Sequence, residues 1–145
     1  MSKLFTFVVS VVAFSLLFAA PRSAQAQIMN PIEANIQHPF VVNNTTLPPG
    51  HYIFRIIGQT DQGAMRVSSV DGKMSSDFLV RASIDEHTPK HSELVFNRYD
   101  NREFLSKIYE NGVKIGVAVS ELSREETDFV KHGRRANAHT EEQAK

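Results

Sequence analysis

LVFNRYDNREFLSKIYENGVKIGVAV, residues 94–119, is the stretch that decides the fold class. It holds three runs in which apolar residues recur with period two, parted by Asp100-Asn101 and Asn111-Gly112. Successive side chains leave a strand on opposite sides, so this alternation marks strands with one buried face. Two loop lengths fit around Asp100. A two-residue loop, Asp100-Asn101, sets Leu94 and Phe96 on the side of Leu105 and Lys107. A three-residue loop, Asp100 to Arg102, gathers Leu94, Phe96, Phe104 and Ile108, and the buried face selects it. Asn111-Gly112 suits a type I′ turn, whose two central residues need φ > 0. Its register would set Ile108 opposite Ile115, Ser106 opposite Val117 and Phe104 opposite Val119. That inward face is the densest in the chain, so much of the stability is expected there.

The same pattern continues toward the N-terminus. Ala64 to Val70 and Lys73 to Ala82 flank Asp71-Gly72, a two-residue hairpin signal. In that register Met65 faces Phe78 on the apolar side and Arg66 faces Asp77 on the other, pairing opposite charges. Gly58 to Gly63 reads as a loop. His51 to Ile57 is apolar on both faces, which predicts a central strand covered on both sides. A buried Arg55 there would need a partner, an internal carboxylate in preference to an anionic ligand. Pro49-Gly50 suits a type II turn, with Gly50 supplying φ > 0. Phe40 to Val42 reads as a short strand with Pro39 at its start, followed by a loop through Asn43 to Thr46.

Toward the C-terminus, Ser123-Arg124-Glu125-Glu126 matches a capping box, S-x-x-E. A helix over Arg124 to His132 follows, with Gly133 as the residue that ends it. Arg134 to Lys145 is polar and lacks apolar periodicity, so disorder is expected, and its removal after Gly133 should cost little. The expectation is an all-β domain, residues 27–133, of about seven mostly antiparallel, hairpin-connected strands. A sandwich and a small barrel fit the pattern equally.

Residues 1–26 read as a cleavable signal peptide. Lys3 precedes the charge-free apolar run Leu4 to Ala20, Pro21 breaks it, and Ala24-Gln25-Ala26 offers small residues for cleavage before Gln27. The apolar run is shorter than the roughly 20 residues a spanning helix wants. The expected location is periplasmic or secreted, with no membrane span after cleavage. The chain has 16 basic and 16 acidic residues, and loss of Lys3 and Arg22 with the leader leaves 14 against 16. Nucleic-acid binding needs a basic surplus to displace phosphate counterions, and none exists. With no cysteine, disulfides, thiol nucleophiles and Cys-ligated metals are all excluded.

The motifs Leu47-Pro48-Pro49-Gly50-His51-Tyr52 and Leu94-Val95-Phe96-Asn97-Arg98-Tyr99, the latter running on to Phe104-Leu105 and Ile108, carry a resemblance. The chain resembles a group of short exported bacterial proteins of unknown function with LPxGxY and LVFxRYxxxxFLxxI motifs. Pro49 stands where the group often has alanine. The resemblance implies an all-β fold and brings no activity, ligand or functional residue with it.

Histidines and carboxylates are the chemistry left to weigh. His87-Thr88-Pro89-Lys90-His91 spaces two imidazoles four apart after Asp85-Glu86. Pro89 between them argues for a loop, and no H-E-x-x-H pattern is present, so a solvated polar loop is the reading. Asp85 and Glu86, as neighbours, would point to opposite faces of a strand and could not converge on a glycosidic bond. No catalytic, cofactor-binding or metal-ligating residue is assigned, and no cofactor is expected. The expected function is a non-catalytic envelope or extracellular interaction module for an unknown protein or small-molecule partner. A small-molecule-binding β-barrel is the alternative, and an enzyme with an unrecognised site the third reading.

Overall fold

The computed structural model describes residues 30–57 and 63–143. The segment expected to be a signal peptide, residues 1–26, and most of the Gly58–Gly63 loop therefore lie outside the described residues. Among the described residues ten strands and one helix follow one another: β1 (Ile32–Ile36), β2 (Phe40–Val42), β3 (Thr45–Leu47), β4 (Gly50–Ile57), β5 (Gly63–Ser69), β6 (Ser75–Ile84), β7 (Ser92–Tyr99), β8 (Arg102–Tyr109), β9 (Ile115–Val119), α1 (Arg124–Lys131) and β10 (Asn137–Gln143). The all-β class with a short C-terminal helix is as expected. The strands the sequence reading missed are β1, β3 and β10.

All ten strands join one sheet that is not closed. Its main path runs β1-β4-β5-β6-β9-β8, and β8 then pairs on with β7, and β7 with β10. The β2–β3 hairpin branches off where β2 runs parallel to β8 at Val41 and Phe104. The two free ends of the path, β1 and β10, come side by side without a ladder. The Gln143 side-chain oxygen accepts the Asn35 N–H there at 2.9 Å. One face of the curled sheet supplies a single core of Ile32, Ile36, Phe40, Leu47, Tyr52, Phe54, Met65, Val67, Phe78, Leu94, Phe96, Leu105 and Ile108, each 0–5% exposed. Burying a side chain of this kind stabilises by roughly 1.5–3 kcal/mol.

The tail overturns an expectation. Asn137–Gln143 is a strand whose seven residues are in register with Ser92–Arg98 of β7, so the domain extends past residue 133. Its inward residues are His139, Glu141 and Gln143 and its outward ones are exposed, so no apolar period was there to be read. β4 is hydrogen-bonded on both edges yet covered on one face only. Tyr52 and Phe54 are buried on one face, while on the other His51 and Arg55 are exposed and Ile53 and Ile57 half-buried, so Arg55 needs no buried partner. No second layer packs on its outer face among the described residues. Gly50 opens β4 opposite Ile36 without a positive φ, so the type II turn is not formed. Asn43 takes the positive φ instead, at 55°, and turns β2 into β3.

The β5–β6 register is as expected, with Met65 opposite Phe78 and Arg66 opposite Asp77. Only the turn is wider, closing at the Ser69 N–H to Met74 carbonyl bond of 2.8 Å. The β7–β8 hairpin differs more. Tyr99 pairs with Arg102, so the loop has two residues, not three. A bulge between Val95 and Phe96 then shifts the pairing by one, leaving Phe96 opposite Leu105 and Leu94 opposite Ile108. An extra residue flips the side chains beyond it to the other face, so both Leu105 and Ile108 reach the core. Phe104 faces outward, into a satellite cluster with Val41, Tyr99 and Phe129. Asn111-Gly112 forms no type I′ turn, since only Gly112 has a positive φ, of 74°. β8 and β9 pair at Ile108–Val117, two residues from the expected register. Gly116 explains the shift: a Cβ there would strike the Ile108 carbonyl oxygen and the Tyr109 ring.

The helix forms at Arg124–Lys131, with the Ser123 half of the capping box made and the Glu126 carboxylate turned to Asn97 and Tyr99 instead of the Ser123 N–H. The Ser123 hydroxyl accepts the Glu126 N–H at 3.0 Å, and Gly133 at φ 73° ends the helix. Its N–H bonds Val130 O, and Arg134 N–H bonds Phe129 O, the paired bonds of a Schellman end. Phe129 stacks on Tyr99 with centroids 5.3 Å apart, which lays α1 across the outer face of the β7–β8 hairpin. No helix among the described residues is long and apolar enough to cross a membrane.

Candidate functional site

The histidines singled out from sequence gather nothing. His87 is 90% exposed at its side chain, and its ring stands 3.9 Å from Asp85, while His91 is exposed. The loop between β6 and β7 holds Asp85 by local bonds, the His87 N–H reaching its carboxylate at 3.1 Å.

Polar groups converge elsewhere, above Phe96 at one end of the core. β10 pairs His139 with Phe96 and Glu141 with Leu94, so strand alternation sends both polar side chains inward. β8 contributes Glu103, 6% exposed, on the face that carries Leu105. β7 contributes Arg98, paired across the hairpin with Glu103. The connection from β1 to β2 contributes His38, whose ring meets Phe96 edge-on at 5.0 Å. Pro39 fixes the chain just after it and starts β2 on the core.

The distances within this group are short. His38 Nε2 lies 2.8 Å from Glu141 Oε1 and 3.4 Å from Glu103 Oε2. His139 Nδ1 lies 2.8 Å from Glu103 Oε2 and 2.9 Å from an Arg98 guanidinium nitrogen. Arg98 also donates to Glu103 Oε1. Burial alone would push the Glu103 carboxyl up. Hydrogen bonds from His139 and Arg98, with the electrostatic attraction of the two neighbouring imidazoles, outweigh it and hold the group below the usual carboxylate range.

Two features mark this as more than an ion-pair network. His38 Nε2 and Glu141 Oε2 are buried without a hydrogen-bond partner, even though Nε2 approaches Glu141 Oε1 closely. His139 Nδ1 faces a guanidinium, which only donates, and a carboxylate, which only accepts, and one ring nitrogen cannot serve both. The ligand atoms of His38, His139 and Glu141 all lie within 4.8 Å of one another, so these are the residues able to hold a cation. The group offers no serine or threonine nucleophile. A second polar group lies under α1, where Glu126 accepts from Asn97 at 2.8 Å and from the Tyr99 hydroxyl at 3.5 Å. Burial raises the Glu126 carboxyl, against the pull of those two bonds.

Sequence reading missed His38, His139, Glu141 and Glu103. The one available signal was the i, i+2 spacing of His139, Glu141 and Gln143, a period-two pattern written in polar residues. The chain matches no family model, no curated protein and no solved structure.

Proposed function

We propose that the chain is an exported, non-catalytic binding domain that meets its partner at its outer surface. The observation that carries this is the filled interior: side chains from both halves of the sheet occupy the core at 0–5% exposure. A small-molecule barrel needs an apolar cavity of roughly 300–1,000 Å³ with a few convergent polar groups. The depressions found among the described residues open onto the surface and do not enter the core. One of about 440 Å³ is lined by Pro31 and Ile32 together with Asn30, Glu33, Ser92, Glu110, Asn111 and Gln143, beside the seam between β1 and β10, and one of about 410 Å³ lies at α1 over Glu125, Asp128, Phe129, His132 and Arg134. Another, of about 230 Å³, sits over Ala64, Phe78, Leu79 and Val119 with Asn43, Asp77 and Glu121 at its rim. The signal peptide supports an extracytoplasmic setting.

Photo-crosslinkers placed singly at Leu79, Ile84 and Leu122, which are 39%, 72% and 51% exposed, test the reading in the native envelope. A discrete crosslinked partner from at least one surface position is expected. A stability screen with apolar small molecules provides the opposing arm. A ligand that raises the melting temperature, and loses its effect on Phe54→Ala or Met65→Ala, would place binding inside the sheet and overturn the proposal.

A further inference from the structure

We infer that His38, His139, Glu141 and Glu103 form a binding site for a divalent first-row transition-metal ion, zinc(II) being the best match. The donor set is two imidazoles and two carboxylates. Nitrogen and oxygen donors of this kind suit borderline ions, and the absence of sulfur disfavours copper(I). Zinc–nitrogen and zinc–oxygen bonds of 2.0–2.2 Å put neighbouring ligand atoms of a tetrahedron about 3.4 Å apart. His38 Nε2 and Glu103 Oε2 stand at 3.4 Å. His38 Nε2 to Glu141 Oε1 and His139 Nδ1 to Glu103 Oε2 are each 2.8 Å, so small side-chain rotations open the site.

The polar atoms left unsatisfied are those a cation would take. His38 Nδ1 lies 3.3 Å from the Pro39 carbonyl. With the ring proton on that nitrogen, Nε2 is a lone pair aimed into the cluster, the tautomer that metal ligation requires. Its lone pair then meets the Glu141 carboxylate at 2.8 Å with no proton between them. An ion taking the single lone pair of His139 Nδ1 would have Glu103 Oε2 as its neighbouring ligand and would leave Arg98 to donate to Glu103 Oε1 alone. Arg98 keeps Glu103 Oε1 and orients that carboxylate from outside, as outer partners of metal ligands do. His38, His139 and Glu141 are the three whose ligand atoms all lie within 4.8 Å of one another, with Glu103 Oε2 against His38 and His139 as the fourth donor, and a sphere filled by four protein ligands would be that of a structural site.

The ligands also sit where the fold is least joined. His38 follows β1, His139 and Glu141 lie on β10, and β1 and β10 are the strand edges that no ladder connects. An ion bridging them to β8 would hold that seam in a chain that has no cysteine to cross-link it.

The test uses the secreted, purified protein, stripped with chelator and titrated with zinc chloride, then with nickel, copper and manganese salts. One zinc per chain, with a rise in melting temperature, is expected. X-ray absorption of the zinc-loaded protein should show four nitrogen or oxygen neighbours, two of them imidazole. His139→Ala and His38→Gln should weaken zinc by more than the roughly 10–100-fold that loss of an outer partner costs. His87→Ala with His91→Ala should leave it unchanged. Should a ligand variant fail to fold, the absorption spectrum of the unaltered protein still decides. No zinc uptake by the unaltered protein, fewer than two imidazoles on the ion, or loss of uptake in the His87/His91 variant would each overturn the site.

Discussion

β9 and β10 are opposites in sequence and have exchanged roles in the structure. β9, IGVAV, is the most apolar strand of the C-terminal half, while β10, NAHTEEQ, has one alanine and nothing larger that is apolar. Yet β10 is in register with β7 over all seven of its residues, and β9 meets β8 at two pairs, leaning otherwise on β6. Apolar patterning reports how much a strand gives to the core. Hydrogen-bond pairing needs no particular side chain, so a polar strand can complete a sheet without leaving a trace in hydropathy.

The comparison is broken most directly by removing β10. A chain ending at Gly133 loses the β7 ladder and uncovers Leu94 and Phe96, both 0% exposed. Its stability should fall at least as far as that of Phe96→Ala, about 3–5 kcal/mol, a large part of a typical domain's total. Urea or thermal melts of the two proteins side by side measure it. A truncated form that melts with the full-length protein would return β10 to the status of an ornament.

A smaller effect sharpens the division of β8 between two faces. Phe104 touches Phe129 with centroids 6.0 Å apart, while Ile108 belongs to the main core. A double-mutant cycle on Phe104→Ala and Phe129→Ala should show coupling of about 0.5–1.5 kcal/mol. Phe104→Ala and Ile108→Ala should add to within about 0.5 kcal/mol, being distant and without shared partners. The reverse pattern would put Phe104 back on the inward face.

The smallest expected effect is electrostatic. Glu126 is 3% exposed, and burial raises its carboxyl above the ordinary glutamate range. The folded state then holds that proton more tightly than the unfolded one. Stability is lost as pH rises from the ordinary glutamate range through the raised value, and the cost stays in place above it. Glu126→Gln keeps an acceptor for Asn97 and removes the charge. It should gain on the native protein as pH rises through that window and show no such gain below it. Melting temperatures of both proteins from pH 3 to 8 check the sign, and a gain confined to acid would contradict it.

Much of the fold was legible in the chain. The all-β class, the β5–β6 register and the capped helix followed from alternation, a charge pair and S-x-x-E, since each depends on neighbours in sequence. The β7–β8 loop was misread because alternation was taken to run unbroken from Leu94 to Ile108, and a bulge resets it. The Asn111-Gly112 register failed because Gly116 lets β9 approach Tyr109, a contact no local rule contains. The candidate site was not legible. His38, Glu103 and His139 lie 36 or more residues from one another, and the curl of the sheet brings them together. His87 and His91, close in sequence, stay apart from any such group.

The bulge in β8 also sets what kinds of change the protein can absorb. Substitutions along β8 alter one side chain at a time and leave its neighbours where they were. Ironing out the bulge with all eight residues kept would rotate one half of the strand by a face, turning Ile108 to solvent or pulling Phe104 away from Tyr99 and Phe129. Losing Ser106, the extra residue, would not, since Leu105 and Ile108 would then stand two apart and share the core face by simple alternation. In descendants of this chain, single-residue deletions in β8 should therefore fall at Ser106, and other insertions and deletions in the exposed turn at residues 70–73.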